Sequence, residues 1–352
     1  MKKHIIFITG AAGYVGVMLV RQFSSRSDVE KIICLDKESK PEILENISNL
    51  VWIEKNTSDD WEEEVRKFNP TIVIHTAWQI REIYGQKDLQ WKWNVTGSEK
   101  VFNFVFSTPS VEKFIHFSTV ASYAAFPDNT IEHRFLESEG FRKTDYLYAE
   151  EKRIAEKRLE EIYAEYQSKG QKIPQVFIVR PAAITGPRGR YSRIRFGLQA
   201  ALSGQLKETF IHRLISAMVS FVPITEKWCR QFIHEDDVTD IIELLAFKDL
   251  EGKYEAFNIC PPGDVVTGLD MAAAVGKKAI RINPYLIRMV FAVMWHVSRG
   301  KVPTSKGGWK SYSFPIAVDG SKITKMYGYV YKYPSKEAFV KKEGRYMQFV
   351  KP

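Results

Sequence analysis

Read only for apolar and polar positions, the chain alternates short runs of branched and aromatic residues with longer amphipathic stretches. "HIIFIT" (His4 to Thr9), "KIICLD" (Lys31 to Asp36), "LVWIE" (Leu50 to Glu54), "TIVIHTA" (Thr71 to Ala77), "KFIHFST" (Lys113 to Thr119) and "QVFIVRP" (Gln175 to Pro181) form the short runs. Apolar runs of this length, separated by helical patterns, predict parallel strands covered on both faces. A further strand is predicted at "AFNIC" (Ala256 to Cys260), after a helix over "DDVTDIIELLAF" that begins near Asp236.

The predicted class is α/β: a Rossmann-type doubly wound parallel sheet of about seven strands. Residues 1–181 and 230–260 supply its pattern. Residues 182–229 and 261–352 carry more Gly, Pro, Arg and irregular pattern. They are assigned to a smaller, discontinuous substrate-binding domain beside the carboxyl edge of the sheet, where open α/β folds hold ligands. Within it, "YLIRMVFAVMWHV" (Tyr285 to Val297) is interrupted by Arg288 and is too short to span a bilayer. It is predicted to be a buried helix, with an interfacial membrane contact as the lesser reading.

A chain of 352 residues, 45% hydrophobic and 13% aromatic, has enough apolar surface for one large or two medium cores. Its net charge of +9 suits an anionic small molecule. Acidic residues are interspersed with the basic ones and no basic tract interleaves with stacking aromatics, so nucleic acid is not an expected partner. Cys34, Cys229 and Cys260 lie far apart without metal-ligand spacing. Neither a disulfide framework nor a metal site is predicted, and a cytoplasmic location fits.

The first strand runs into "TGAAGYVG", with Gly10, Gly13 and Gly16 opening a helix. Glycines there allow a tight turn, close approach of a pyrophosphate and close helix packing, and the helix amino terminus offers N–H groups and positive dipole to phosphate. Asp36 ends the second strand 20 residues after Gly16, where a carboxylate accepts from the adenosine ribose hydroxyls and repels a 2′-phosphate. NAD is therefore favoured over NADP, with the adjacent Lys37 as a partial offset.

"DYLYAEEKRIAEKRLEE" (Asp145 to Glu161) reads as a charged surface helix with one anomaly. Tyr148, Lys152, Ala155, Leu159, Ile162 and Tyr166 project within a sector of roughly 80°, the stripe a helix turns to its core. Lys152 is thus a cation in mid-stripe, one turn from the Tyr148 phenol. Tyr146 has Glu150 four residues on instead, which would raise its pKa, and is read as structural.

Taken in order, "TGAAGYVG", "HTAW", "NVTGSEKVF", "FSTVASY", "YAEEK", "RPAAITGP" and "RQFIHEDDV" resemble the motif series of the extended short-chain dehydrogenase/reductase, or NAD-dependent epimerase/dehydratase, family. The resemblance runs from Ile5 to about Lys278. It implies that Tyr148 exchanges a proton with a substrate hydroxyl or carbonyl while hydride passes to or from a nicotinamide. Lys152 would lower the phenol's pKa and bind the nicotinamide ribose. Thr119, four residues before Tyr123, would be the catalytic hydroxyl, with Ser118 the neighbouring alternative. Cofactor contacts are implied from Gly10, Gly13, Tyr14, Val15, Gly16, Asp36, Lys37, Asn56, Thr57, Thr76, Ala77, Asn94 and Pro181, besides Tyr148 and Lys152. Asn56 stands where many members carry aspartate, and Asn94 competes with an ordinary helix cap. His75 is read as a packed strand-end residue.

Trp78, Ser118, Arg188 and Arg230 are the candidate substrate contacts. Arg230 matches an arginine that binds the diphosphate of nucleotide sugars, and Arg188, Arg190, Arg193 and Arg195 crowd the loop after the sixth strand. Val120 and Ala121 replace the acidic pair of the sugar 4,6-dehydratases, which argues against dehydration. The resemblance implies an epimerase or oxidoreductase acting on a secondary alcohol, with a nucleotide sugar the favoured substrate and a homodimer the expected state. A reductase of a hydrophobic, sterol- or flavonoid-like substrate is the alternative, and a non-catalytic NAD-sensing scaffold the reading from another class.

Overall fold

In the computed structural model, which describes residues 2–189, 221–274 and 276–349, the apolar runs become the centre of the molecule. Strands β1 (His4–Thr9), β2 (Val29–Asp36), β3 (Leu50–Glu54), β4 (Ile72–His75), β5 (Lys113–Phe117), β6 (Gln175–Pro181) and β11 (Tyr254–Ile259) make one seven-stranded sheet. Its order is β11-β6-β5-β4-β1-β2-β3 and every pairing is parallel. The order reverses between β1 and β4, which opens the crevice at their carboxyl ends where such sheets bind ligands.

Side-chain alternation builds a core on each face. Ile6 and Ile8 of β1 point into one cluster, with Ile32, Cys34, Ile74, Phe177 and Val179, covered by α1 (Tyr14–Ser24) and the Glu235–Phe247 helix. Phe7 points into the other, between Trp61 at 5.2 Å and Phe104 at 5.8 Å, covered by α4 (Gly97–Ser107) and α5 (Leu147–Ser168), which follow the short helices α2 (Glu62–Arg66) and α3 (Lys87–Trp91) in the chain. Truncating Phe7 to alanine would cost about 3–5 kcal/mol.

Short two-stranded ribbons lie beyond the main sheet: β7 (Ala183–Thr185) with β10 (Phe232–His234), β9 (Cys229–Arg230) with β12 (Val266–Thr267), and β8 (Phe221–Ile224) with β13 (Lys278–Arg281). Strand β13 leads into the helix Pro284–Val297, whose Asn283 cap accepts from the Tyr285 N–H at 2.9 Å. Only Ile287 and Trp295 of this helix are buried. The expectation of a buried helix is therefore corrected: the segment lies outside both cores and uses one narrow side for packing. Arg190, Arg193 and Arg195 fall outside the described residues.

Candidate active site

Gly10 takes φ +72° as β1 ends, and a Cβ there would lie 2.4 Å from the Ala77 backbone nitrogen. The turn after β1 is thus pressed against the loop after β4. Thr76 Oγ1 fastens the two by donating to the Thr9 carbonyl at 2.7 Å, and the Ala77 N–H donates to Thr9 Oγ1 at 3.4 Å. Gly13 is different: a Cβ there would meet the Gly10 carbonyl oxygen at 3.0 Å and otherwise face open space. Gly13 is also the N-cap of α1, which has no side-chain cap and no acid in its first turn. A helix amino terminus left in this condition is a place for an anion.

Asp36 stands beside it. Its carboxylate accepts from the Ala12 N–H at 2.9 Å and the Glu38 N–H at 3.0 Å, so the glycine turn orients it. Lys37 is half-withdrawn, with Nζ 3.6 Å from Glu38 and 4.3 Å from the centre of the Trp93 ring. Asn56 accepts from the Ser58 N–H, 3.0 Å, and closes the turn after β3. Thr57 is buried there and donates to the Trp93 carbonyl at 3.4 Å. An uncapped helix end, a glycine with open space and an oriented carboxylate fit a dinucleotide diphosphate and ribose.

Tyr14 and Val15 follow Gly13, but their side chains point away. The Tyr14 hydroxyl donates to the buried Glu235 carboxylate, and Val15 packs on the core. What they can offer a phosphate is main-chain N–H. Burial raises Glu235 to about 7, even though Tyr14 and the N–H groups of Arg188 and Gly189 donate to it. Arg188 itself donates to the Tyr14 carbonyl at 3.2 Å. This places the arginine, a candidate substrate contact, beside the first turn of α1.

On α5 the predicted stripe holds: Lys152, Ala155 and Leu159 are buried, and Ile162 and Tyr166 pack on the same cluster. Lys152 Nζ donates to the Phe117 carbonyl, the last of β5, and lies 3.5 Å from the centre of the Trp78 ring. Burial lowers the lysine's pKa well below 10.5, against the raising influence of Glu156 and Glu151. Trp78 covers the cation, and its indole nitrogen is buried without a partner among the described residues.

Ser118 and Thr119 come directly after Phe117. Thr119 caps a 3-10 turn, Val120–Tyr123, by accepting from the Ala121 N–H at 3.2 Å. Ser118 Oγ is buried and finds no partner among the described residues. The turn is anchored by Tyr123, whose hydroxyl accepts from Arg180 at 2.8 Å and donates to Asn258 at 3.0 Å. Arg180 pairs with Glu156 of α5 at 2.6 Å, so β6, α5 and the hydroxyl-bearing turn are held together. Pro181, next to Arg180, ends β6 opposite Ile259.

Asn94 sits within a π-helical turn, Lys92–Thr96, and not at a helix start, which removes the cap alternative. Its amide donates to the Gln79 carbonyl at 2.9 Å and to Glu151 at 2.7 Å, and it accepts from the Gln79 N–H at 2.7 Å. Glu151, neighbour of Lys152, was not singled out in the sequence, because one more acid in "YAEEK" reads as solvated. It is fully buried, accepts from Gln90 as well, and has its carboxyl pKa raised by burial. His75 is packed as expected, between Thr9 Oγ1 at 2.6 Å and Ser98 Oγ at 2.8 Å, and burial pushes it down to about 3.

Tyr148, at the start of α5, is half-buried with its ring 5.9 Å from that of Tyr146. The Tyr146 phenol is raised as expected, but through burial, with Tyr148 and Tyr312 adding to it. Glu150 is occupied elsewhere, by Arg153 at 2.6 Å and the Thr144 N–H at 3.0 Å. Arg230 donates to the Ser311 carbonyl at 2.8 Å and lies 5.9 Å from the Tyr312 ring. Tyr312, which adds to the raising of Tyr146, lies in a segment without a motif and was missed.

No curated protein matches the chain at a significant level. Among solved structures, the Bordetella bronchiseptica enzyme WbmG in complex with NAD and UDP is similar at 20% identity and TM-score 0.67, covering 98% of this chain and 94% of that one. Thermotoga maritima UDP-glucose 4-epimerase with UDP-glucose is similar at 20% identity and TM-score 0.64, with 96% of each chain covered. Bacillus anthracis dTDP-glucose 4,6-dehydratase with NAD gives 16%, TM-score 0.67, and 96% and 94%. At these identities the likeness shows the fold. The model of the NAD dependent epimerase/dehydratase family matches residues 6–260, and the chain is a member of that family of NAD-dependent enzymes.

Proposed function

We propose that the protein is an epimerase or oxidoreductase acting on a secondary alcohol of a nucleotide-activated sugar. The observation that carries the reading is the attachment of Lys152 to the Phe117 carbonyl. It brings the buried cation of α5 to the strand end that bears Ser118 and Thr119, one helical turn from Tyr148. NAD, when bound, takes up or returns a hydride. Tyr148 takes the proton of the carbinol as the hydride leaves its carbon, and gives it back on reduction. Lys152 favours the phenolate form of Tyr148, and Thr119 orients the reacting oxygen. Arg230, beside Tyr312 and Tyr146, is suited to a diphosphate.

The same reading takes the enzyme as a homodimer and as cytoplasmic, in keeping with three buried free cysteines. The alternative, a reductase of a hydrophobic alcohol or ketone, draws on one contact: Phe291 of the apolar helix lies 5.2 Å from Tyr312.

The test is turnover of a panel of UDP-, dTDP- and GDP-sugars with NAD, by the parent chain and by Tyr148→Phe. Epimer formation that falls roughly a hundredfold to ten-thousandfold in the variant is expected. Failure of every nucleotide sugar to bind in either cofactor redox state, alongside consumption of NADH with an apolar ketone, would overturn the reading.

A further inference from the structure

The helix Pro284–Val297 shows solvent a largely apolar face, broken near its end by the exposed His296, whose Nδ1 lies 3.1 Å from the Tyr84 hydroxyl. Tyr285, Leu286, Met289, Val290, Val293 and Val297 are 70, 44, 58, 47, 55 and 68% exposed. At about 100° per residue these six fall within a sector of roughly 140°, opposite the side on which Ile287 and Trp295 are buried. Ile280, in the strand leading into the helix, is 43% exposed. Isolated exposed apolar residues are ordinary, but a stripe of them along one helix is a contact surface.

The charge around it is one-sided. From Asp270 to Asp319 the sequence contains eight lysines and arginines and no aspartate or glutamate between them. This corrects the expectation of acids interspersed throughout. Lys278 and Arg281 precede the helix, Arg288 borders the stripe, and Arg299, Lys301 and Lys306 follow it, all exposed. Lys310 pairs with Asp145 at 2.8 Å, and the others form no salt bridge with a described residue.

We propose that this face docks the protein on an anionic phospholipid surface, with the helix lying in the plane of the headgroups. A helix of 14 residues is about 21 Å long, short of a hydrocarbon core of about 30 Å. Among the described residues no helix is long and apolar enough to cross a membrane. Aliphatic side chains that enter the acyl boundary, with cations at both ends to meet phosphates, are the composition of an interfacial helix. A second copy is the poorer occupant. Two-fold pairing through this face would set its cations against themselves, with no acid in the segment to answer them.

The experiment is flotation of the purified full chain with vesicles of phosphatidylglycerol mixed into phosphatidylcholine, and with phosphatidylcholine alone. Binding to the mixed vesicles is expected, weakened at least roughly tenfold on phosphatidylcholine alone, by high salt, and in the double variant Met289→Glu, Val293→Glu. A second variant, Arg281→Glu with Arg288→Glu, leaves the stripe intact and should lose the preference for phosphatidylglycerol. Both are checked for the parent's thermal midpoint and NAD affinity. Absence of flotation, equal flotation of all variants, or a dimer that only the Met289→Glu, Val293→Glu variant dissociates would overturn the proposal.

Discussion

The Trp78 ring lies flat against the end of Lys152, with Nζ 3.5 Å from the ring centre, while the same nitrogen donates to the Phe117 carbonyl. A π face and one carbonyl are thin company for a buried ammonium, which explains why the lysine's pKa is driven down.

Lys152→Met should therefore stabilise the fold by about 1–3 kcal/mol while abolishing turnover. The sign is checked by pH. With the folded value below 10.5 and the unfolded value near it, the unfolded chain binds more protons in between, so parental stability rises with pH there. The variant lacks this dependence. Its advantage in thermal midpoint should shrink as the pH approaches 10.5 and grow below, and a constant difference would contradict the account.

The two glycines of the α1 turn should fail in different ways. A Cβ on Gly16 would lie 2.1 Å from the Gly10 carbonyl oxygen and 2.7 Å from Ala11 Cα, so Gly16→Ala should cost several kcal/mol of stability, about 3 or more. Gly13→Ala has one contact, at 3.0 Å, and should fold normally while binding NAD at least roughly tenfold more weakly. Thermal midpoint and NAD titration, measured on both, separate a packing role from a ligand role.

Glu235 makes stability pH-dependent in the opposite sense to Lys152. Its folded value of about 7 lies above the ordinary 4.5, so in that interval the folded protein holds a proton that the unfolded chain has lost. Stability falls as pH rises from 4.5 to about 7, by on the order of 3 kcal/mol, and levels off above. Glu235→Gln should flatten the thermal midpoint across this range. A parent and variant with parallel profiles would show that the carboxyl is ionised throughout.

Ser118 and Thr119 can be told apart by substitution. Ser118 Oγ is buried without a partner among the described residues, so Ser118→Ala should leave stability unchanged or raise it by up to about 1 kcal/mol, with turnover within a few-fold. Thr119→Val should lower kcat roughly a hundredfold with little change in KM. The reverse pattern would transfer the role to Ser118.

Much of this architecture could be read from residue order, because the sheet depends on local apolar runs and the cofactor end on a compact motif. Leu50–Glu54 and Gln175–Pro181 coincide with their predicted strands residue for residue. Lys152 was legible because a single helix fixes its direction. What escaped notice depends on partners distant in sequence. Tyr14 meets Glu235 across 221 residues, and a tyrosine after a glycine motif carries no sign of a carboxylate on another helix. Glu151 looked solvated until Asn94 and Gln90 were brought to it. The Pro284–Val297 helix was misjudged because apolar composition states a need for cover and does not say what meets it.

The π-helical turn at Lys92–Thr96 bears on how such a site could arise or be lost. A turn of this kind holds one more residue than its α-helical counterpart, and each residue advances the helix by about 100°. Removing one residue of this turn ahead of Asn94, for example Lys92, would swing the amide away from Gln79 and Glu151 while leaving every side chain of the site chemically unchanged. The link is therefore a matter of chain length as well as residue identity. Substitution libraries would pass over this step, and a single-codon deletion would expose it, read as weakened NAD binding in a protein that still folds.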